Sequence, residues 1–153
     1  MRAFRTSNFS LAMALALLLA GCGKDNGTGV DASVAPFVGD WDAQALIITS
    51  IANPDVAPDL VELGATFTLN VQPSGQYTAI LIYLGQAQTE IGTVSVTGST
   101  LTLQRTFPTA ETTPGTFQFF GEDRFTLDGG TEFDFNLDGS PEAATAHFDM
   151  VRQ

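Results

Sequence analysis

From Thr66 to Arg152 apolar and polar residues alternate in short runs, and turn-forming glycine, proline, asparagine or aspartate residues separate them. A period of two sends alternate side chains to opposite faces of an extended chain, so this stretch buries its apolar residues as sheet. Phe67, Leu69 and Val71 alternate with Thr66, Thr68 and Asn70, and Pro73-Ser74-Gly75 turns the chain into Tyr77 to Leu84. Thr89 to Thr97 and Leu101 to Phe107 follow, joined across Gly98-Ser99. The pattern then predicts a long strand over Thr116 to Leu127, bulged at Gly121, and a hairpin at Asp128-Gly129-Gly130. Thr131 to Leu137 and Ala143 to Arg152 complete the run, and Asp42 to Ile51 precedes it.

Eight strands in hairpin order predict an all-β, antiparallel, up-and-down meander, and closing it into a barrel leaves no exposed edge. A β-sandwich would need a long crossover, and no connection after Gly64 is long enough for one. The long connection lies earlier, over Ala52 to Gly64, where Pro58, early acids and Gly64 predict a short helical turn after strand one.

The amino terminus belongs to another environment. Met1 to Asn8 carries Arg2 and Arg5 and no acid, and Phe9 to Ala20 is almost wholly apolar. That is the charged and apolar order of a secretory signal, too short to span a bilayer, which takes about 20 residues. Leu19-Ala20-Gly21-Cys22 resembles the lipobox of bacterial lipoproteins. The resemblance implies that residues 1–21 are a signal peptide and that Cys22 carries diacylglycerol and an amino-terminal fatty acyl chain such as palmitate. A thiol is the side chain nucleophilic enough for that alkylation, and several acyl chains exceed the two signals that lasting attachment takes. Residues 22–36, rich in glycine and small polar residues, then read as a flexible linker. Residues 37–153 read as the domain. The expected partner of Cys22 is the membrane of a bacterial cell envelope, and Gly23 in place of a retention aspartate points to the outer one.

Charge narrows the partners further. Seventeen acids face six bases, two of the latter in the leader, and the formal net charge is −11. Such a balance argues against nucleic acid and against adsorption to anionic headgroups. With its one cysteine lipidated the domain would hold no disulfide, so packing must hold the fold.

The domain opens on Gly39-Asp40-Trp41, which matches the Gly-x-Trp that begins the first strand of lipocalins. The resemblance implies an eight-stranded barrel closed at one end by Trp41, with Arg152 of the last strand lying over the indole. A Thr-Asp-Tyr between later strands and a C-terminal helix, two further marks of that family, are missing from this sequence. It also implies a small apolar or amphipathic ligand in the barrel.

Alternation puts Trp41, Ala43, Ala45, Ile47 and Ile51 on one face of strand one, and places Phe67, Phe117, Phe119, Phe125, Phe133, Phe135 and Phe148 on candidate inward faces. A ligand would then touch Phe67, Leu81, Tyr83, Phe117, Phe119 and Phe135. Eight strands enclose just enough room for side chains or one small ligand, and so much phenylalanine weighs toward a filled core. In an up-and-down barrel successive loops alternate between ends, so Ala52 to Gly64, Gly85 to Gln88, Pro108 to Pro114 and Asp138 to Glu142 share the mouth. Those loops carry Asp55, Asp59, Glu62, Glu111, Asp138 and Glu142 and no Lys or Arg. Such a mouth favours a cationic head group or metal ion over a fatty carboxylate. Tyr77 to Leu84 is apolar on both faces, which suits an outer-face partner.

Catalytic chemistry has little to stand on. His147 is the only histidine, there is no Gly-x-Ser-x-Gly elbow, and no histidine cluster could hold zinc. Asp134-Phe135-Asn136-Leu137-Asp138-Gly139 matches the first half of an EF-hand loop, which makes Asp134, Asn136, Asp138 and Glu142 candidate calcium ligands. Thr145 stands where the loop's glutamate belongs, and strand alternation accounts for the same letters, so no cofactor is expected. The leading expectation is non-catalytic binding of a small apolar or amphipathic molecule. The alternative is an envelope protein interaction or inhibitor module with a filled barrel core.

Overall fold

The structure is a computed structural model that describes residues 31–153. Cys22 and the expected signal peptide, residues 1–21, lie outside the described residues. Eight antiparallel strands, β1 (Gly39–Ser50), β2 (Thr66–Val71), β3 (Gln76–Tyr83), β4 (Gln86–Thr97), β5 (Thr100–Phe107), β6 (Glu111–Phe119), β7 (Arg124–Phe133) and β8 (Glu142–Arg152), close into an up-and-down barrel. Each strand pairs with the next, and β8 returns to β1 from Trp41↔Arg152 to Ser50↔Ala144. The ring of strand pairings is closed, although residues 86–90 of β4 run beyond the β5 ladder and residues 111–114 of β6 beyond the β7 ladder, and both ring and plug lie within residues 31–153.

The closed end is built before the first strand. The Asp31 carboxylate accepts the Ser33 amide at 2.9 Å and its hydroxyl at 2.7 Å, and the Asp31 carbonyl accepts the Val34 and Ala35 amides. Pro36 is pre-set for the 3₁₀ helix Ala35–Phe37 that follows. Val34 and Phe37 are buried in the barrel core. The folded domain therefore starts before Phe37, and the last residues of the expected linker are part of its plug. Phe37 packs against Phe117, Phe119 and Phe125 at ring separations of 4.9, 4.9 and 5.3 Å.

Three strand assignments differ from the alternation pattern. A bulge between Ala43 and Ala45 of β1 turns the upper half of the strand over, so Leu46 and Ile48 are buried while Ile51 is exposed. A single extra residue reverses every later side chain, which a period count cannot detect. The second difference is the β6–β7 hairpin. Gly121, expected as a bulge, has φ +79° and lies in the turn, where Phe120 N–H donates to Arg124 C=O at 2.8 Å. Gly129 pairs with Gly115 and with Ala146 inside β7, so Asp128-Gly129-Gly130 makes no hairpin. Third, Asp134, Phe135, Asn136 and Leu137, expected at the end of a strand, belong to the β7–β8 connection.

The turn expected after strand one is made with an i→i+4 bond from Leu63 N–H to Asp59 C=O, and Ala65 N–H reaches Leu60 C=O at 2.8 Å. The rest of that connection substitutes for a strand. β2 pairs with β1 only from Gly39 to Asp42. Higher up, Ile48 N–H donates to Pro58 C=O, Leu60 N–H to Leu46 C=O and Ser50 N–H to Val56 C=O, at 2.8 to 3.0 Å. The loop thus covers the upper edge of β1 and buries Leu60 in the wall.

Candidate ligand cavity at the open end of the barrel

Loops alternate between the two ends. Tight turns at Gln72–Gly75, Gly98-Ser99 and Phe120–Asp123 lie at the end plugged by Trp41 and Phe37. The β1–β2 and β7–β8 connections form most of the mouth, because β3–β4 is a two-residue Leu84-Gly85 turn and β6 already begins at Glu111. The expected loops at Gly85 to Gln88 and Pro108 to Pro114 are therefore largely strand.

Trp41 is fully buried. Its indole N–H donates to the Phe37 carbonyl at 2.7 Å, and the Arg152 guanidinium carbon lies 4.2 Å from the ring centroid. Such a stack is worth about 0.5 to 2 kcal/mol. Arg152 also donates from Nη1 to Val38 C=O at 2.7 Å and from Nη2 to Pro36 C=O at 3.0 Å and Glu122 C=O at 3.2 Å. It ties the chain leading into β1 to the β6–β7 turn. Gly39 permits this, with φ +135° and a position where a Cβ would come 2.5 Å from Arg152 Nη1.

Above that plug the barrel is open, and a cavity of about 900 Å³ runs from Met150 and Phe125 up to the mouth. This lies at the upper end of the range of about 300 to 1,000 Å³ for small-molecule sites. The expectation of a filled core is thereby corrected, and the reason is where the phenylalanines stand. With the β6–β7 turn at Phe120–Asp123, Phe117 and Phe119 fall at the closed end against Phe37. They fill that end, while the lining above them sets the small residues Ala79, Gly129, Gly130 and Ala146 among Phe67, Tyr83, Phe133 and Phe148.

Of the candidate ligand contacts, Phe67, Leu81 and Tyr83 line the cavity. Phe117 and Phe119 are plug residues and do not line it. Phe135 packs on Phe133 at 5.0 Å beside the mouth, outside the lining. The apolar wall comes from β8, β1 and β2, with Leu46, Ile48, Phe148 and Phe67, the last two rings 4.8 Å apart.

The opposite wall is polar. Tyr77 of β3 pairs with Gly92 of β4, Gly92 with Arg105 of β5, and Arg105 with Glu111 of β6, so these positions form one row across four strands. Glu90 stands two residues from Gly92 on the same face. Arg105 Nη1 donates to Glu90 Oε1 at 2.6 Å, Nη2 to Glu111, and Nε to the Thr109 carbonyl at 3.0 Å. Burial alone would lower the Arg105 guanidinium, but the Glu90 hydrogen bond and the charges of Glu90 and Glu111 hold it above its ordinary value. The Tyr77 side chain is buried, and its hydroxyl has no hydrogen-bond partner among the described residues.

Burial, reinforced by the negative charge of Glu90, pushes the Tyr77 phenol up to about 12 from 10.0. An acid whose folded pKa is raised gives stability that is full below the unfolded value and is lost as pH rises through the folded one. Ultraviolet titration is therefore expected to show one of the two tyrosines ionising near 12, with stability falling by roughly 2 to 3 kcal/mol between about pH 10 and 12. Tyr77→Phe should remove both effects. Ionisation of both tyrosines near 10 would contradict the burial of this hydroxyl.

Sequence reasoning did not single out Tyr77, Glu90 or Arg105 as a group. The signal was present, since Arg105 follows Leu101 and Leu103 on the inward parity of β5, and a charge on a core face calls for partners. Among the mouth acids, the Asp59 carboxylate accepts the Leu46 and Val61 amides, and Glu142 accepts the Phe135 amide at 3.1 Å. In the candidate calcium loop Asp134 accepts the Asp138 and Gly139 amides, Asn136 accepts that of Asp138, and Asp138 accepts that of Ser140. These oxygens are engaged in holding the loop. Among the described residues no three of His, Cys, Asp or Glu gather at metal-binding distance. His147 is on the outer face, its Nδ1 2.6 Å from Asp128.

The rim of the mouth is apolar. Leu84 and Leu137 are 66% and 69% exposed and hold left-handed backbones with φ of 49° and 59°, uncommon for a leucine. Both line the cavity entrance, and Ile51 and Leu63 of the first loop are similarly exposed. No protein-family model matches the chain, and no curated protein matches it.

Proposed function

We propose that this chain is a lipid-anchored, lipocalin-like protein of the bacterial envelope that binds one small apolar or amphipathic molecule without catalysis. The observation that carries the reading is the cavity of about 900 Å³, closed below by Trp41 and open above between apolar loop tips. An interior built only for stability would be packed to crystal-like density, and a void of that size forfeits the contacts its lining would otherwise make. The Gly39, Trp41 and Arg152 arrangement supports the lipocalin-like assignment. The four residues ending at Cys22 support attachment to the outer membrane. Cys22→Ser is expected to release the protein from salt-washed membranes, and retention would remove the anchor from the proposal.

The cavity is tested by native mass spectrometry of residues 31–153, purified from a bacterial envelope fraction, before and after addition of a panel of lipophiles. A retained or added mass of one ligand per chain, lost on unfolding, is the expected result. A second reading, a protein interaction or inhibitor module, draws on Ile82, Ile91 and Phe107, which are exposed on the outside of β3, β4 and β5. The bare polypeptide mass from a folded protein would favour it, and crosslinking in the envelope would then identify the partner.

A further inference from the structure

Three features of the polar wall constrain the ligand's head more tightly than the cavity's size does. The first is the Tyr77 hydroxyl. Tyr77 is 1% exposed, lines the cavity, and its oxygen has no partner among the described residues. Buried hydroxyls are otherwise almost always hydrogen-bonded, and this oxygen is closed off from the cavity, so a donor arriving there reaches it once the neighbouring Glu90 and Glu111 side chains, 40% and 55% exposed, give way. The second is the state of Arg105. A free guanidinium in a barrel would capture a carboxylate, but four of its five N–H directions are already taken by Glu90, Glu111 and Thr109. The third is charge. Glu90 and Glu111 are two carboxylates against one guanidinium, and Glu132 and Asp134 also line the cavity, while no lysine or second arginine does. The wall retains unneutralised negative charge next to a vacant hydrogen-bonding oxygen.

We propose that the cavity takes an apolar amine, its protonated nitrogen held between Tyr77 Oη and the carboxylates of Glu90 and Glu111, and its hydrocarbon body laid along Phe67, Leu46, Ile48 and Phe148. The inference rests on the reading of the barrel as a ligand binder and adds the chemistry of the head. An ammonium donates to the phenol oxygen and to carboxylate oxygens at once, and it restores charge balance inside the wall. A fatty carboxylate would bring a further negative charge beside Glu90 and Glu111 and find Arg105 occupied. The placement differs from the acidic mouth anticipated from the loops, because Asp59 and Glu142 there bond to backbone amides. The head site is in the barrel wall.

The test is a matched series with one twelve-carbon chain, dodecylamine, dodecanol and dodecanoate, titrated below their micelle concentrations into residues 31–153 by isothermal calorimetry. The amine should bind one per chain, at least about tenfold more tightly than dodecanoate, with dodecanol between them. Tyr77→Phe and Glu111→Gln should each weaken the amine several-fold while leaving dodecanol nearly unchanged, with circular dichroism showing both variants folded. Adsorption of a cation to an acidic surface would ignore Tyr77→Phe. Dodecanoate binding as tightly as the amine, amine and alcohol binding equally, or an amine affinity indifferent to both variants would overturn the inference and leave the binding reading intact. Failure of all three probes to bind would instead overturn the reading of the barrel as a binder of small amphiphiles.

Discussion

Trp41→Ala is expected to lower the free energy of unfolding by about 3 to 5 kcal/mol, the range for truncating a large buried aromatic. The indole is 0% exposed and joins three parts of the plug. It donates to Phe37 C=O at 2.7 Å, meets Phe125 edge to face at 4.7 Å, and carries Arg152 on its ring at 4.2 Å. Alanine would leave a void at the only end of the barrel that is densely filled, and the Phe37 carbonyl would lose its donor. With a urea slope of about 1 to 3 kcal/mol per molar, the midpoint should fall by roughly 2 M. Because Trp41 is the one tryptophan in the chain, the transition has to be followed by far-ultraviolet circular dichroism. Phe120→Ala is the matched control, since that ring is half exposed, with Arg124 over it at 5.7 Å; its effect should stay within about 0.5 kcal/mol. A loss below about 1 kcal/mol for Trp41→Ala would mean that the plug contributes little, and that the barrel is held by its ladder alone.

The plug was legible in the sequence because its signal is local. Gly39-Asp40-Trp41 sits at the start of a strand and Arg152 at the end of another, and first and last strands of a closed meander are neighbours. The eight-stranded, up-and-down order was legible for a related reason, since alternation and short turns specify hairpins. What alternation could not give was parity. The bulge at Ala43 to Ala45 leaves no mark in composition, so Ile47 was expected inside where Leu46 and Ile48 are. Glycine was ambiguous in the same way. Asp128-Gly129-Gly130 has hairpin chemistry, but Gly129 faces Gly115 and Ala146 across the barrel wall, and tertiary pairing overrides a local turn preference. That one shift moved Phe117 and Phe119 from the expected binding surface into the plug. The polar row of Tyr77, Glu90, Arg105 and Glu111 needs the register of four strands at once, which no window along the chain supplies.

Gly92→Ala should be the most damaging small substitution in the barrel, and it connects the fold to the proposed site. A Cβ at this position would lie 2.1 Å from the Gln104 carbonyl oxygen, 2.8 Å from its carbon and 2.8 Å from Tyr77 Cε1. Two of those atoms are backbone of β5, so relief requires the β4–β5 ladder to open where Gly92 pairs with Arg105. Overpacking of a core costs about 1 to 3 kcal/mol and occasionally more, and with a ladder displaced the loss here should reach about 3 kcal/mol. The third atom is the functional one. Tyr77 lies against the wall because Gly92 has no side chain, and a methyl group there drives the ring toward the cavity. Any remaining folded Gly92→Ala protein should therefore bind cavity ligands more weakly as well as unfold more readily. Gly130→Ala supplies the comparison, because a Cβ at Gly130 meets nothing within 4 Å although that residue also lines the cavity. Its stability should change by no more than about 0.5 kcal/mol. Urea unfolding of the pair, with ligand titration of whatever remains folded, separates the two consequences. Equal stability of the two variants would mean that the seat of Tyr77 is not held as tightly as the backbone requires, and the polar wall would lose its basis as a rigid recognition surface.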